Sequence, residues 1–471
     1  MVPVSIKLYT SAITVITSLL LSGCNLEPAY HRPETTLPAS WSYKDSPAEG
    51  VNTQALSGPF FSDSKLQQLI KLTIENNKDL ELAALNLKKS GVQHGVDNLS
   101  WLPGINLTAE KSAAHEPAGI FESVITSPVT YHQYDVKLVS ASWEVDFWGR
   151  LRSLREASLN DYLSAAAGSR SLKISLIEQV VSAYLKYIND REDMAIACQK
   201  LENTLQLRHM QQQAFSAGGL TKNTLMDADN AVNDAQSALL QTKLQAQQDI
   251  NLLQLLVGAP LPDSLFNVSL DHNWTFPLLK AGTPSAVLLK RPDIIAAEYQ
   301  LKAANARIGA ARAAFFPSIS LTAEGGSSTA AMSQLLSGGT AYWSFVPMIT
   351  LPVFDGGKNQ GNLSLAELNN KIEIVNYQKA IKQAFREVSD ALAGQSSLNR
   401  LFIQTAKLYD TGKEQYRMAE KTRDAGQISN EDLLMKNNDL LALRKQMFDM
   451  RFKYLIQSVK LFSVIGGDNA I

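Results

Sequence analysis

Apolar residues recur every seven positions along two stretches of the chain. In the first, Leu225, Val232, Leu239, Ala246 and Leu253 form a row, joined by Ala228, Ala235 and Leu256. In the second, Leu433, Leu440, Met447, Tyr454 and Leu461 do so, joined by Leu443, Met450 and Val464. A seam of this period predicts coiled-coil packing. Residues 129–259 and 353–471 contain no proline and are rich in good helix formers. The breakers Ala217-Gly218-Gly219-Leu220-Thr221 and Ala425-Gly426-Gln427-Ile428-Ser429 place glycine past a helix end and a hydroxyl at the next N-cap. Each predicts the turn of a helical hairpin. A helix from Leu151 to Ala217 would be about 100 Å long at about 1.5 Å per residue, which no compact domain accommodates. Gly168, Gly394 and Gly412 are candidate interruptions or bends.

Elsewhere the period is two. Ile105, Leu107 and Ala109 alternate with polar residues, as do Ile319, Leu321 and Ala323. A second strand in the first half carries Val139, Ala141, Trp143, Val145 and Phe147 in one phase and Tyr134, Val136 and Leu138 in the other, which predicts a bulge near Leu138. The fourth strand, Tyr342–Phe354, contains Pro347 and Pro352 and alternates less cleanly. Apolar-out, polar-in strands with aromatic ends predict a membrane β-barrel. A filled barrel needs about eight strands, so a chain with four would share one, as a dimer or a trimer. The soluble alternative is two β-hairpins packed on helices in an α+β domain.

The two halves repeat one another. "WLPGINLTAE" (Trp101–Glu110) and "FFPSISLTAE" (Phe315–Glu324) match in register. Further on, Gly149-Arg150 matches Gly357-Lys358, Ala217-Gly218 matches Ala425-Gly426 and Val257-Gly258 matches Ile465-Gly466. The chain reads as a tandem duplication of roughly 210 residues. The organisation expected is a signal peptide (1–23), a lipidated strap (24–62), a first repeat (63–258), a connection (259–284), a second repeat (285–466) and a short tail (467–471). The first repeat would hold a β-hairpin at about 103–147 and a helical hairpin at 150–257. The second would hold them at about 317–354 and 358–465.

The N-terminus bears on the compartment. Lys7 precedes an apolar stretch, Leu8–Leu21, too short for the about 20 residues that cross a bilayer but suited to a signal peptide. Leu21-Ser22-Gly23-Cys24 resembles a bacterial lipobox, with cleavage before Cys24 and a covalent lipid on its thiol; a short uncleaved anchor is the alternative. Asn25 is not the aspartate of inner-membrane retention, which points to the outer membrane. Two cysteines exclude a disulfide framework, and Cys198 reads as a buried mid-helix thiol. The net charge of −1, from 44 basic and 45 acidic residues, gives no footprint for nucleic acid.

"SWEVDFWGR" (Ser142–Arg150), "KRPDIIAAEYQLKAANARIGAARAAFFPSISLTAE" (Lys290–Glu324) and "LPVFDGGKNQ" (Leu351–Gln360) resemble the outer-membrane factors of tripartite efflux systems, in particular the NodT-type lipoprotein branch of the TolC-like family. "NLEPAYHRPETTLP" after Cys24 resembles that branch's strap. The resemblance covers essentially the whole mature chain. It implies a homotrimer forming a shared 12-stranded barrel in the outer membrane and a 12-helix periplasmic tunnel. A mixed belt would draw on Leu256–Pro284, Gly394–Lys413 and the tail. It also implies a passive duct without cofactors, linked at the hairpin tips by a periplasmic adaptor (a membrane fusion protein) to an energised inner-membrane transporter of the RND type. Gly218, Gly219, Gly426 and Gln427 would form the adaptor-contacting tips. Relatives close the tip partly with aspartate rings. Asp432 keeps an acid where the family has glutamate, whereas Met435 replaces the family's later aspartate and Asp227 occupies the equivalent place in the first tip. Asp432, then Asp424 and Asp227, with Arg423 as partner, are the candidate gate residues.

Enzyme chemistry finds no foothold. Histidines 31, 94, 115, 132, 209 and 272 form no HExxH pair, and GxSxG and Walker motifs are lacking. Asp355-Gly356-Gly357-Lys358 reads as a tight turn rather than a phosphate cradle. The ten methionines form no dense thioether cluster, so neither a copper site nor any other metal centre is expected. The cargo stays open between drugs, metal ions and secreted polypeptides. A lipid-anchored periplasmic coiled-coil adaptor is the rival of a different class.

Overall fold

The computed structural model describes residues 26–34, 38, 41, 60–117, 127–270, 274, 276 and 288–467. Cys24 and the signal peptide lie outside the described residues. The elements, in order, are α1 (Ser64–Asn76), α2 (Lys78–Leu99), β1 (Ile105–Glu116), β2 (Val129–Val145), α3 (Arg150–Ser216), α4 (Lys222–Val257), α5 (Pro292–Ala313), β3 (Ser318–Thr329), β4 (Ala341–Thr350), α6 (Lys358–Asp424) and α7 (Asn430–Val464). Helices α3 and α6 are each 67 residues long. The predicted interruptions are absent: helix continues through Gly168, Gly394 and Gly412, and therefore through Gly394–Lys413. The last two glycines instead allow close approach to α7. A Cβ on Gly394 would lie 2.6 Å from the Gln457 side chain, and one on Gly412 would lie 2.5 Å from Leu443. Cys198 is exposed rather than buried, because it falls two residues past the inward-facing Ile196.

The chain divides into two compact units, Met1–Pro33 with Leu87–Ala165 and Ala297–Tyr377, and Glu34–Asn86 with Ala166–Ala296 and Gln378–Ile471. The first unit holds one antiparallel sheet in the order β1-β2-β3-β4. Among the described residues the outer edges of β1 and β4 have no strand partner. Directly paired residues share a face, so the register sorts every strand residue. One face carries Ile105 and Leu107, opposite Ser140 and Leu138, and then Leu321 and Ala323, opposite Pro347 and Phe345. The other carries Thr108, Lys137, Gly326 and Tyr342.

The phase change in β2 occurs three residues beyond its expected place, between Ser140 and Trp143. Ile105–Ser140 is the last β1–β2 pair, so an extra residue there disturbs only the β2–β3 ladder. Ser142 takes φ of 29° to absorb it. Strand β4 ends at Thr350, before Pro352.

Both sheet-to-helix junctions are closed by a carboxylate. Asp146 accepts from the backbone N–H of Leu151 (3.0 Å) and Arg152 (2.8 Å). Asp355 accepts from those of Gly357 (2.9 Å) and Asn359 (2.8 Å), so the glycine pair is a turn whose helix N-terminus already holds an anion. Trp148 stacks on Phe316 at 4.5 Å and donates its indole N–H to the Pro317 carbonyl. In the same unit, Arg32 Nη2 donates to both Glu298 oxygens (2.9 and 2.8 Å), and Asn305 donates to the Pro28 carbonyl (2.8 Å). The Glu27 Cα would lie 2.8 Å from a Cβ on Gly309, so strap residues 27–32 run antiparallel to α5.

The second unit holds the main core. Leu176, Val180, Tyr184 and Ile188 of α3, spaced by four, meet Leu253 and Val257 of α4 and Phe448, Leu455, Val459 and Phe462 of α7. The predicted seams contribute as expected, with Ala228, Ala235, Leu239, Ala246 and Leu253 buried in α4 and Leu433, Met447, Leu461 and Val464 in α7. Asp249 is buried beside the seam because Lys186 reaches it at 2.8 Å. Arg291 is buried too: its guanidinium donates to Asp293 (3.1 and 2.8 Å), Glu387 (2.8 Å) and the Val464 carbonyl (2.7 Å). It ties the start of α5 to α6 and to the last turn of α7. Removing one partner of a buried charged network costs about 3–5 kcal/mol. Arg291→Leu should therefore lower the thermal midpoint in detergent, and Arg291→Lys, which lacks the planar fork, should recover only part of the loss.

Candidate functional site at the hairpin tips

Both tips lie in the second unit and are built alike. At the first, the Gly219 N–H donates to the Ala214 carbonyl (2.8 Å) and the Gly218 N–H to that of Phe215 (2.9 Å). At the second, Gln427 donates to Thr422 (3.0 Å) and Gly426 to Arg423 (2.8 Å). Each pair is a Schellman closure, and it requires the left-handed backbone at Gly218 (φ 77°) and Gly426 (φ 75°). Gly219 and Gln427 donate the outer bond of each closure, which leaves their side-chain positions exposed for contact.

The next helices start differently. Thr221 caps α4 by accepting from the Thr224 N–H at 3.3 Å, and its hydroxyl also bonds the Thr224 hydroxyl at 3.0 Å. Ser429 caps α7 through a reciprocal box: its hydroxyl accepts from the Asp432 N–H (3.0 Å), while its own N–H (3.1 Å) and O–H (2.7 Å) donate to the Asp432 carboxylate. Those donors hold the Asp432 carboxyl below its usual 3.8. Asp432, the first gate candidate, is thus also a structural cap.

The remaining candidates separate. Arg423 pairs with Asp424 at 2.7 Å and reaches Asn430 at 3.5 Å, not Asp432 or Asp227. Asp227 is exposed on the other hairpin, and Met435 is 56% exposed. Arg423 lines a groove of about 690 Å³ with Leu205, His209, Met210, Leu433 and Leu434. Polar links that sequence reading missed join α3 to α7: Gln211 to Glu431 (2.8 Å), Asn203 to Asn438 (2.9 Å) and Glu192 to Arg444 (3.5 Å). Lys445 also pairs with Asp193. Arg208 binds Asp229 (2.9 Å) within the first hairpin. Each such bond is worth about 0.5–1.5 kcal/mol net, so the tips are held by many weak links. Their only signal in the sequence is polar residues interrupting the apolar seam.

Comparison with known proteins assigns this architecture. A family model for outer membrane efflux protein matches residues 69–259 and 283–467. The chain belongs to that family. It is 35% identical over 474 residues to TtgF, the toluene efflux pump outer membrane protein of Pseudomonas putida, covering 97% of each chain. It is 34% identical over 461 residues to ArpC, the antibiotic efflux pump outer membrane protein of the same species, covering 96% of this chain and 94% of ArpC. The MtrE outer membrane channel of Neisseria gonorrhoeae, crystallised in its open state, superposes with a TM-score of 0.82 at 29% identity, over 95% of this chain and 99% of that one. The protein is therefore an outer-membrane efflux channel component, a passive conduit rather than an enzyme.

The Asp432 carboxyl is depressed in the folded state, so its contribution to the tip is present above the ordinary carboxylate range. It is lost as pH falls through the depressed value. Hydrogen-exchange protection of the Asp432 amide, corrected for intrinsic rates, should fall there, and Asp432→Asn should flatten that pH dependence.

Proposed function

We propose that three copies of this chain assemble one conduit through which toxic small organic molecules pass from the periplasm across the outer membrane. The observation that carries this reading is a sheet with one apolar face and one polar face and two unpaired edges. Lipid tolerates no open edge, and four strands cannot close alone. The free edge of β4 on one copy fits the free edge of β1 on the next. Helix α2 leads into β1 and exposes Val92, Val96 and Leu99; α6 leaves β4 and exposes Leu365, Leu368, Ile372 and Val375. These stripes continue the two free edges, with the spacing of a coiled-coil seam.

The apolar face suits a bilayer. Trp343 is 80% exposed, Ile349 70% and Leu107 70%. Trp343 pairs with Gly325, and Phe316 lies nine residues before it in the chain. At about 3.3 Å per residue and a tilt of about 40°, that separation is about 23 Å, close to the about 25 Å apolar band of outer-membrane barrels. Relatives named for toluene and antibiotic efflux support a cargo of small toxic compounds. The tips at Gly218, Gly219, Gly426 and Gln427 would receive the periplasmic adaptor, with an RND-type inner-membrane transporter supplying energy. Asp432, Asp424, Asp227 and Arg423 remain the residues assigned to the resting gate. The reading extends to a lipid on Cys24 as a sorting tether.

Purified protein should run as a trimer in detergent and conduct in planar bilayers; monomers without conductance would sink the proposal. Asp432→Ala should raise resting conductance by loosening the capped tip, and unchanged conductance would remove it from the gate. A deletion strain should become sensitive to solvents and antibiotics. Sensitivity confined to metal salts, or loss of a secreted polypeptide, would change the cargo. A Cys24→Ser variant exported on a non-lipoprotein signal should still form trimers.

A further inference from the structure

The apolar face of the sheet ends in bases. On β1, Ile105, Leu107 and Ala109 are followed on the same face by Lys111 and His115; on β2, Leu138 and Val136 are followed by Tyr134 and His132. The change falls at one row, where Lys111 pairs with Tyr134, and it lies at the end of the sheet away from helices α2 and α3. Tyrosine at the border of an apolar band marks the headgroup level of a bilayer. No carboxylate of the four strands lies on this face. Solvation alone would admit acids and bases alike at its wet end, yet the outermost acid of β1, Glu116, sits on the other side.

The bases are positioned but not neutralised. Lys111, His115 and His132 are all exposed. The Lys111 ammonium lies over the Tyr134 ring, 5.5 Å from its centroid. The His115 Nδ1 meets the Thr130 hydroxyl at 2.7 Å, which leaves Nε2 for an external partner. Among the described residues none of the three has a carboxylate partner. Lys137, the remaining base of the strands, differs: it lies on the polar face, where Glu324 holds it at 3.1 Å.

We propose that Lys111, His115 and His132 bind the phosphates of a glycolipid in the outer leaflet, one patch on each copy. This rests on the reading that the apolar face meets lipid and the helices point to the periplasm, which puts the bases at the outer surface. A soluble anion has no use for the adjoining apolar band, whereas a phosphate joined to acyl chains occupies both surfaces at once. Spacing narrows the class further. Lys111 and His115 are four residues apart, about 13 Å along the strand at about 3.3 Å per residue. A single phosphate cannot touch both, but a headgroup with phosphates at the two ends of a disaccharide can. Because the patch lies on β1, whose outer edge is free, it falls at the seam with the next copy, so a bound lipid would cover the junction.

The test is native mass spectrometry of the full-length trimer in detergent with added lipid A, in its bisphosphorylated and its dephosphorylated form. The parent should bind the bisphosphorylated form about tenfold more tightly. Lys111→Gln should reduce that preference about fivefold, the worth of one lysine at an anionic surface. His132→Lys should increase it, a sign that misfolding cannot mimic. Phosphatidylglycerol, with one phosphate, should bind more weakly than bisphosphorylated lipid A; equal binding would overturn the assignment to a glycolipid. Trimers that conduct in planar bilayers yet bind both forms of lipid A alike would overturn the proposal and leave the conduit reading intact. A parent that forms neither trimers nor channels would overturn both. If Lys111→Gln does not assemble, His132→Lys decides alone: a larger preference supports the site, and an unchanged one refutes it.

Discussion

A strand edge facing hydrocarbon leaves N–H and C=O groups with nothing to bind, at several kcal/mol each. Strands β1 and β4 each present such an edge, and much of the chain can be understood as an answer to that constraint. The register segregates apolar from polar residues so that one face can meet lipid. The bulge at Ser140–Trp143 keeps that segregation intact past the end of β1, where Trp143 and Val145 take over the phase from Val136 and Leu138. The exposed stripes of α2 and α6 extend the same unfilled seam beyond the sheet.

The helices meet a related demand at their ends. A 67-residue helix has the same number of orphan backbone groups as a short one, so stability per terminus matters little but position matters a great deal. Asp146 and Asp355 start the long helices with a carboxylate, and the Schellman closures at Gly218 and Gly426 end them within one turn. The two tips nevertheless differ in tightness. Thr221 meets Thr224 through a long N–H bond and a hydroxyl–hydroxyl bond, with no bond returned to its own backbone N–H, whereas Ser429 and Asp432 bind reciprocally. The second hairpin therefore begins from a more rigid turn than the first.

Much of this was legible from residue pattern. The heptad rows gave both coiled-coil seams, the matching LTAE strings gave the duplication, and the glycine-hydroxyl breakers located both turns. What eluded reading was information that resides in a partner. Gly394 and Gly412 look like helix breakers until Gln457 and Leu443 occupy the space of their missing side chains. The position of the β2 bulge depended on where β1 stops pairing. Asp432 followed Ser429 at capping-box spacing, yet an acid near a turn serves equally as a gate or a cap, and only the bonds to Ser429 separate these roles. The Arg291 network was hidden within Lys290–Glu324 because the acceptors Glu387 and Val464 lie far along the chain.

The strap carries a consequence for biogenesis. Arg32 and Asn305 make contacts spanning 266 and 277 residues of sequence, so the groove that receives residues 27–32 does not exist until α5 of the second repeat has been made. Loop closure over such a span is slow relative to local helix formation. Residues 27–32 can therefore settle only after α5, which lies more than 250 residues further along the chain, has formed.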